Sequence, residues 1–125
     1  MTIKSLSSLQ IASIMKKGKA YNSGFFLLKT LDIPLKMGDE VTKSVVFGAF
    51  ISSKKVFVKA VDRNRAKRRL KEAFLKAVAE IEVNNLEVQI PCFVILSKID
   101  AVKVDFKDVV NDIKQILLKN YIIGQ

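Results

Sequence analysis

The side chains best suited to chemistry in this chain are its arginines. All four fall within Arg63-Asn64-Arg65-Ala66-Lys67-Arg68-Arg69, while lysine fills every other basic position. A guanidinium presents a rigid planar fork that pairs two donors with phosphate oxygens or a base edge, whereas an ammonium is a hydrated point charge. Confining the fork to one short stretch points to recognition of nucleic acid rather than to solubility. Asn64, set between two forks, adds a side chain that donates and accepts at once. If the stretch opens a helix, its cations repel one another and the positive helix end, at a cost of several tenths of a kcal/mol unless an anion binds there.

Charge is distributed in the same sense. Of a net charge of +10, the segment from Lys54 to Lys76 supplies +8, with ten basic residues against Asp62 and Glu72. A field this local suits a polyanionic partner. The chain has no histidine and one cysteine, Cys92, which excludes an internal disulfide, a multi-cysteine zinc site and histidine acid–base chemistry. No acidic residues cluster at catalytic spacing, so no residue of the chain is expected to be catalytic and none to hold a metal alone. Cys92 lies in the apolar run Ile90-Pro91-Cys92-Phe93-Val94-Ile95-Leu96 and reads as a small buried side chain. The first residues lack the apolar core of a signal segment, and no run reaches membrane-spanning length, so a cytoplasmic location is expected.

The elements that must position the arginines follow from periodicity. With 125 residues, half of them hydrophobic, the chain suits one domain, 1–125, with a single core. Ser7 and Gln10 form a capping-box pattern ahead of Ile11, Ile14 and Met15, and Lys16, Lys17 and Gly18 close a helix over about Ser7 to Lys17, Gly18 in a left-handed conformation. Phe25 to Leu31 reads as a strand, and Val45 to Ile51 as its pairing partner, with a turn at Pro34 and Gly38-Asp39 between them. Both runs are apolar on each side of the pleat, so the sheet carries a helix on one face and a second element or a groove on the other. Gly48 marks a bulge or a close approach. Val56 to Ala60 fits a short strand or an extended connector equally. Asp62 is placed to cap the basic helix, whose apolar stripe is Ala66, Leu70, Ala73, Phe74, Ala77, Val78 and Ile81. Arg65, Arg68, Arg69 and Lys76 project from the opposite side, with Lys67 and Lys71 on a flank. Val88 to Ser97 is a strand, Lys98 to Val104 a loop, and Phe106 to Asn120 a closing helix. Its Phe106, Val109, Val110, Ile113, Ile116 and Leu117 face inward. The order is αββ(β)αβα.

The stretch Arg63-Asn64-Arg65-Ala66-Lys67-Arg68-Arg69-Leu70-Lys71-Glu72-Ala73-Phe74 resembles the signature helix of the bacterial ribonuclease P protein subunit. That pattern runs Arg-Asn-Arg-x-Lys-Arg, then a basic residue, then an acidic-Ala-aromatic end. Ser53-Lys54-Lys55 upstream, the amphipathic first helix ending in glycine, the strand after the signature helix and the closing helix extend the resemblance over the whole chain. It implies an α+β two-layer sandwich related to domain 2 of ribosomal protein S5, with a left-handed βαβ crossover against the usual hand. It also implies a partner, a large catalytic RNA, and a substrate, precursor tRNA, from which the pair removes the 5′ leader by hydrolysis. The chemistry would belong to Mg²⁺ held by that RNA, and the protein is expected to be monomeric without it.

Carried over to this sequence, the resemblance assigns RNA contact to Arg63, Asn64, Arg65, Lys67, Arg68, Arg69 and Lys71, with Lys54 and Lys55 in the Ser-Lys-Lys element. Val56 to Asp62 departs from the Val-Gly-x-Ala form of the family: Phe57 stands near the usual glycine, and the linker is one residue longer. Where relatives offer aromatic residues to the leader, this chain has Ile11, Met15 and Lys29. Base stacking is thereby lost. Ile11 and Met15 give apolar contact or simply core packing, and Lys29 a phosphate contact. A structural RNA-binding protein of the ribosomal or assembly type explains the same composition. A membrane-surface helix is disfavoured, because the stripe holds three alanines and little bulk.

Overall fold

The computed structural model describes residues 2–32, 45–98 and 103–123. The elements run β1 (Thr2–Lys4), α1 (Ser8–Lys17), β2 (Lys19–Asn22), β3 (Phe26–Leu31), β4 (Val45–Ile51), α2 (Ala60–Glu82), β5 (Glu87–Val88), β6 (Cys92–Ser97), α3 (Phe106–Asn120) and β7 (Ile122–Ile123). The turn expected at Pro34 and Gly38-Asp39, and residues 99–102 of the expected loop, lie outside the described residues.

α1 forms where its caps require. Gln10 N–H donates to Ser7 Oγ at 3.2 Å and Ser7 N–H to Gln10 Oε1 at 2.8 Å, so two otherwise orphaned donors are satisfied reciprocally. Gly18 ends the helix, though not in the expected left-handed conformation: its backbone is extended, at φ −68°. The glycine is needed for space, because a Cβ there would stand 2.4 Å from the Ile14 carbonyl oxygen and 3.1 Å from that of Thr30.

Five strands form one mixed sheet in the order β1-β4-β6-β3-β2, and β5 and β7 form a small separate pair. The expected pairing of Phe25–Leu31 with Val45–Ile51 does not form. β6 lies between them, antiparallel to β3 (Phe26 opposite Ser97) and parallel to β4 (Gly48 opposite Phe93). The reason is burial. Cys92 to Ile95 are all buried, whereas burial alternates along β3 and most of β4, so β6 is the strand covered on both faces, and such a strand belongs at the centre. It is also shorter than expected, beginning at Cys92, while Glu87–Val88 pairs elsewhere. Strands β4 and β6 are parallel neighbours joined through α2, which is the unit in which the resemblance puts its crossover.

The two faces of the sheet carry different helices. Ile14 of α1 packs with Cys92, Val94, Phe47, Ala49 and Leu31 on one face. On the other, α2 and α3 cover Phe26, Leu28, Val46, Phe93 and Ile95. All seven residues of the expected α2 stripe are buried, as are Val109, Val110, Ile113 and Leu117 of α3, with Phe106 and Ile116 partly so. An aromatic cluster seats α2. Phe74 stacks on Phe93 at 4.7 Å and 20° between planes, and Phe50 meets both edge-on. Gly48 is a point of close approach to this cluster, since a Cβ there would lie 2.3 Å from the Phe93 ring.

Candidate nucleic-acid interface

The start of α2 is set by the segment before it. Residues 54–56 form a turn, with Val56 and Phe57 N–H both donating to the Ser53 carbonyl at 3.1 and 2.8 Å. Of the two forms expected for Val56 to Ala60, the strand does not form: Val56 ends the turn, residues 57–59 connect it to the helix, and Lys59 has an extended backbone. The departure from the family form has a physical role: Phe57 is buried, where a glycine would fill nothing. The helix then begins at Ala60 with Lys59 as its N-cap and no side-chain cap. Asp62, expected to be the cap, lies in the first turn instead, where its carboxylate still faces the positive helix end. Ser52, buried, donates to the Arg63 carbonyl at 2.9 Å and ties the strand side of the crossover to the helix.

The basic residues of α2 divide by direction. Asn64, Lys67, Arg68 and Lys71 recur at i, i+3, i+4 and i+7, hence on one helix face, and form one wall of a cleft of about 540 Å³. Its apolar lining is Ile3 and Leu6 around the β1–α1 connection, Ile11 of α1 and Phe50 of β4. An apolar floor beside three cations and an amide accommodates ribose or base on one side and phosphate on the other. Lys4 and Ser5 complete the rim. They escape sequence reasoning, since β1 is three residues long and its parallel pairing with β4 (Thr2 opposite Val45) spans more than forty residues.

The remaining assigned residues lie elsewhere. Arg63 is half-buried, and its guanidinium Nη1 donates to the carbonyls of Phe57 at 3.1 Å and Val58 at 2.9 Å, so its fork clamps the preceding segment. Arg69 does not project freely: its Nη2 donates to the Val104 carbonyl, and its guanidinium lies 5.7 Å from the Phe106 ring centre. Arg65 is exposed and makes neither kind of contact among the described residues, while Lys54 and Lys55 stand exposed on the turn. Of the three positions matched to the leader, only Ile11 lines the cleft. Met15 packs partly buried against the α1-side core, and Lys29 Nζ donates to the Met15 carbonyl at 2.5 Å, so the ammonium caps α1. The chain thus joins Ile11 to the signature helix in one cleft.

The fold has close counterparts. The Staphylococcus aureus RNase P protein is similar at 19% identity and a TM-score of 0.60, with 95% of this chain and 94% of that one covered. The Thermotoga maritima RNase P protein is similar at 17% identity and a TM-score of 0.65, with 93% and 96% covered. No curated protein matches the chain in sequence. The family model described as Ribonuclease P matches residues 6–121, which span α1, the cleft wall and α3. With the signature helix, the α+β fold and this match in agreement, the chain belongs to the ribonuclease P family.

Proposed function

We propose that the chain is the protein subunit of a bacterial ribonuclease P, binding the catalytic RNA and holding the 5′ leader of precursor tRNA in the cleft between α1, β4 and α2. The observation that carries this reading is the meeting of Ile11 with Asn64, Lys67, Arg68 and Lys71. In it, Lys67, Arg68 and Lys71 take leader phosphates, Asn64 meets a base edge or sugar, and Ile11 gives apolar contact without stacking. Arg65, Lys54 and Lys55, exposed at the start of α2, meet the catalytic RNA.

The donor set bears on the metal. Among the described residues, the cleft lining offers ammonium, guanidinium and amide groups and no carboxylate, a set suited to phosphate and not to Mg²⁺. The reading therefore leaves Mg²⁺ to the RNA, and the protein's part is to neutralise, orient and hold. The site of action is the cytoplasm. Adding the protein to a bacterial ribonuclease P RNA at low Mg²⁺ should stimulate precursor tRNA cleavage, and K67Q/K71Q should reduce the preference for precursor over mature tRNA. An absence of stimulation by the wild-type chain would sink the reading and favour a purely structural RNA-binding role.

A further inference from the structure

We propose that the groove between α2 and α3 is a second RNA site, which takes an unpaired nucleotide with its base against Phe106 and its phosphates on Lys107 and Lys114. The inference rests on the RNA-binding reading and extends it to a surface outside the cleft. Arg69 and Lys76, seven residues apart on α2, both lean away from the cleft toward one ring: the guanidinium lies 5.7 Å and the Lys76 ammonium 5.9 Å from the Phe106 centre. Phe106 is only partly buried, and it lines a groove of about 370 Å³ together with Lys76, Lys107, Asn111 and Lys114.

Lys107, Asn111 and Lys114 have the spacing of one helix face, i, i+4 and i+7, so two ammonium groups flank an amide beside an aromatic surface. This is the combination that holds unpaired nucleotides: a ring for the base, cations for the backbone and an amide for a base edge. Glu80 and Asp108 stand on the same rim and reduce its charge. Asp108 is in the first turn of α3, where the helix end offsets it. The groove is therefore too weakly cationic for a dense phosphate track and suits one or two phosphates with a base. The Arg69 guanidinium, whose buried Nε has no hydrogen-bond partner among the described residues, adds positive charge beside this surface.

The test uses the whole chain and a short unstructured RNA oligonucleotide, with stoichiometry and affinity followed by calorimetry across a salt series. The wild type should bind two oligonucleotides per chain. K107Q/K114Q should leave one, and with the lost site should go its salt dependence, a slope of log K against log salt of about −0.7 for each phosphate it neutralises. K67Q/K71Q should leave the other. F106L should weaken the groove site by at least about fivefold, the equivalent of one missing base stack, with thermal melting as the check on folding. A single site in the wild type, removed by K67Q/K71Q and untouched by K107Q/K114Q, would overturn the groove and leave the cleft standing. No binding at all would sink both. Displacement of the RNA from the groove by polyglutamate at equal concentration would also overturn it, as the site would then be a general acidic-chain contact.

Discussion

Arg63 and Arg65 belong to one sequence motif, yet their surroundings give them different work, and truncating each separates the two. In R63A the carbonyls of Phe57 and Val58 lose the donor that holds them at 3.1 and 2.9 Å. A hydrogen bond from a charged donor contributes roughly 1.5–3 kcal/mol when well buried. Arg63 is half-buried and both bonds come from Nη1, so about 1 kcal/mol each, about 2 kcal/mol in all, is the reasoned cost. With a urea m-value of about 2 kcal/mol/M for a domain of this size, the unfolding midpoint should fall by about 1 M. R65A, on an exposed side chain, should stay within about 0.5 kcal/mol of wild type. Urea unfolding followed by circular dichroism reads both, and RNA affinity read alongside should fall for R65A without loss of stability. Equal midpoints for R63A and wild type would refute the clamp.

Further outcomes are expected. G48A should cost about 1–3 kcal/mol by overpacking the buried Phe93 ring 2.3 Å from the added Cβ, and F93L should recover part of it in the double variant, measured by thermal unfolding. I11F should tighten precursor tRNA binding by about 1 kcal/mol by restoring a stacking surface in the cleft, while M15F, directed at the α1-side core, should lower stability without that gain. The Tyr121 hydroxyl is pushed up to about 12, first by burial and further by Tyr21, against the opposing Thr30 hydrogen bond. The folded state thus holds this proton more tightly than the unfolded chain. The associated stability is complete below pH 10 and lost as pH rises through about 12. Y121F should flatten the fall in melting temperature across that window relative to wild type, and parallel curves would show that the tyrosine does not contribute.

What could be read from the sequence follows the range of the forces involved. α1, the α2 stripe and α3 are visible because caps and a helical period act within a few residues, and the bounds Phe106 to Asn120 agree with the helix. The strand order is not visible. Nothing local tells β4 that β6, and not β3, is its neighbour, and β1, β2, β5 and β7, at two to four residues each, are too short to show a period. The same limit divides the site. The sequence set Arg68 opposite the apolar stripe and Lys67 and Lys71 on a flank, whereas the cleft joins all three with Asn64, and the duties of Arg63, Arg69 and Lys29 depend on backbone carbonyls brought to them by the segment before α2, by residue 104 and by the end of α1. A carbonyl acceptor leaves no mark in residue type, so an arginine that clamps and one that faces outward look identical in a sequence.

β4 contributes to two places at once. Gly48 and Phe50 line the cleft, and they also meet the Phe93 and Phe74 rings on which α2 rests. The separation between the cleft's apolar floor and its cationic wall is therefore a dimension of the core. A change of one methyl group beneath α2 acts as a change of calibre above it, so variation that alters grip on a polynucleotide can arise at positions that never touch one.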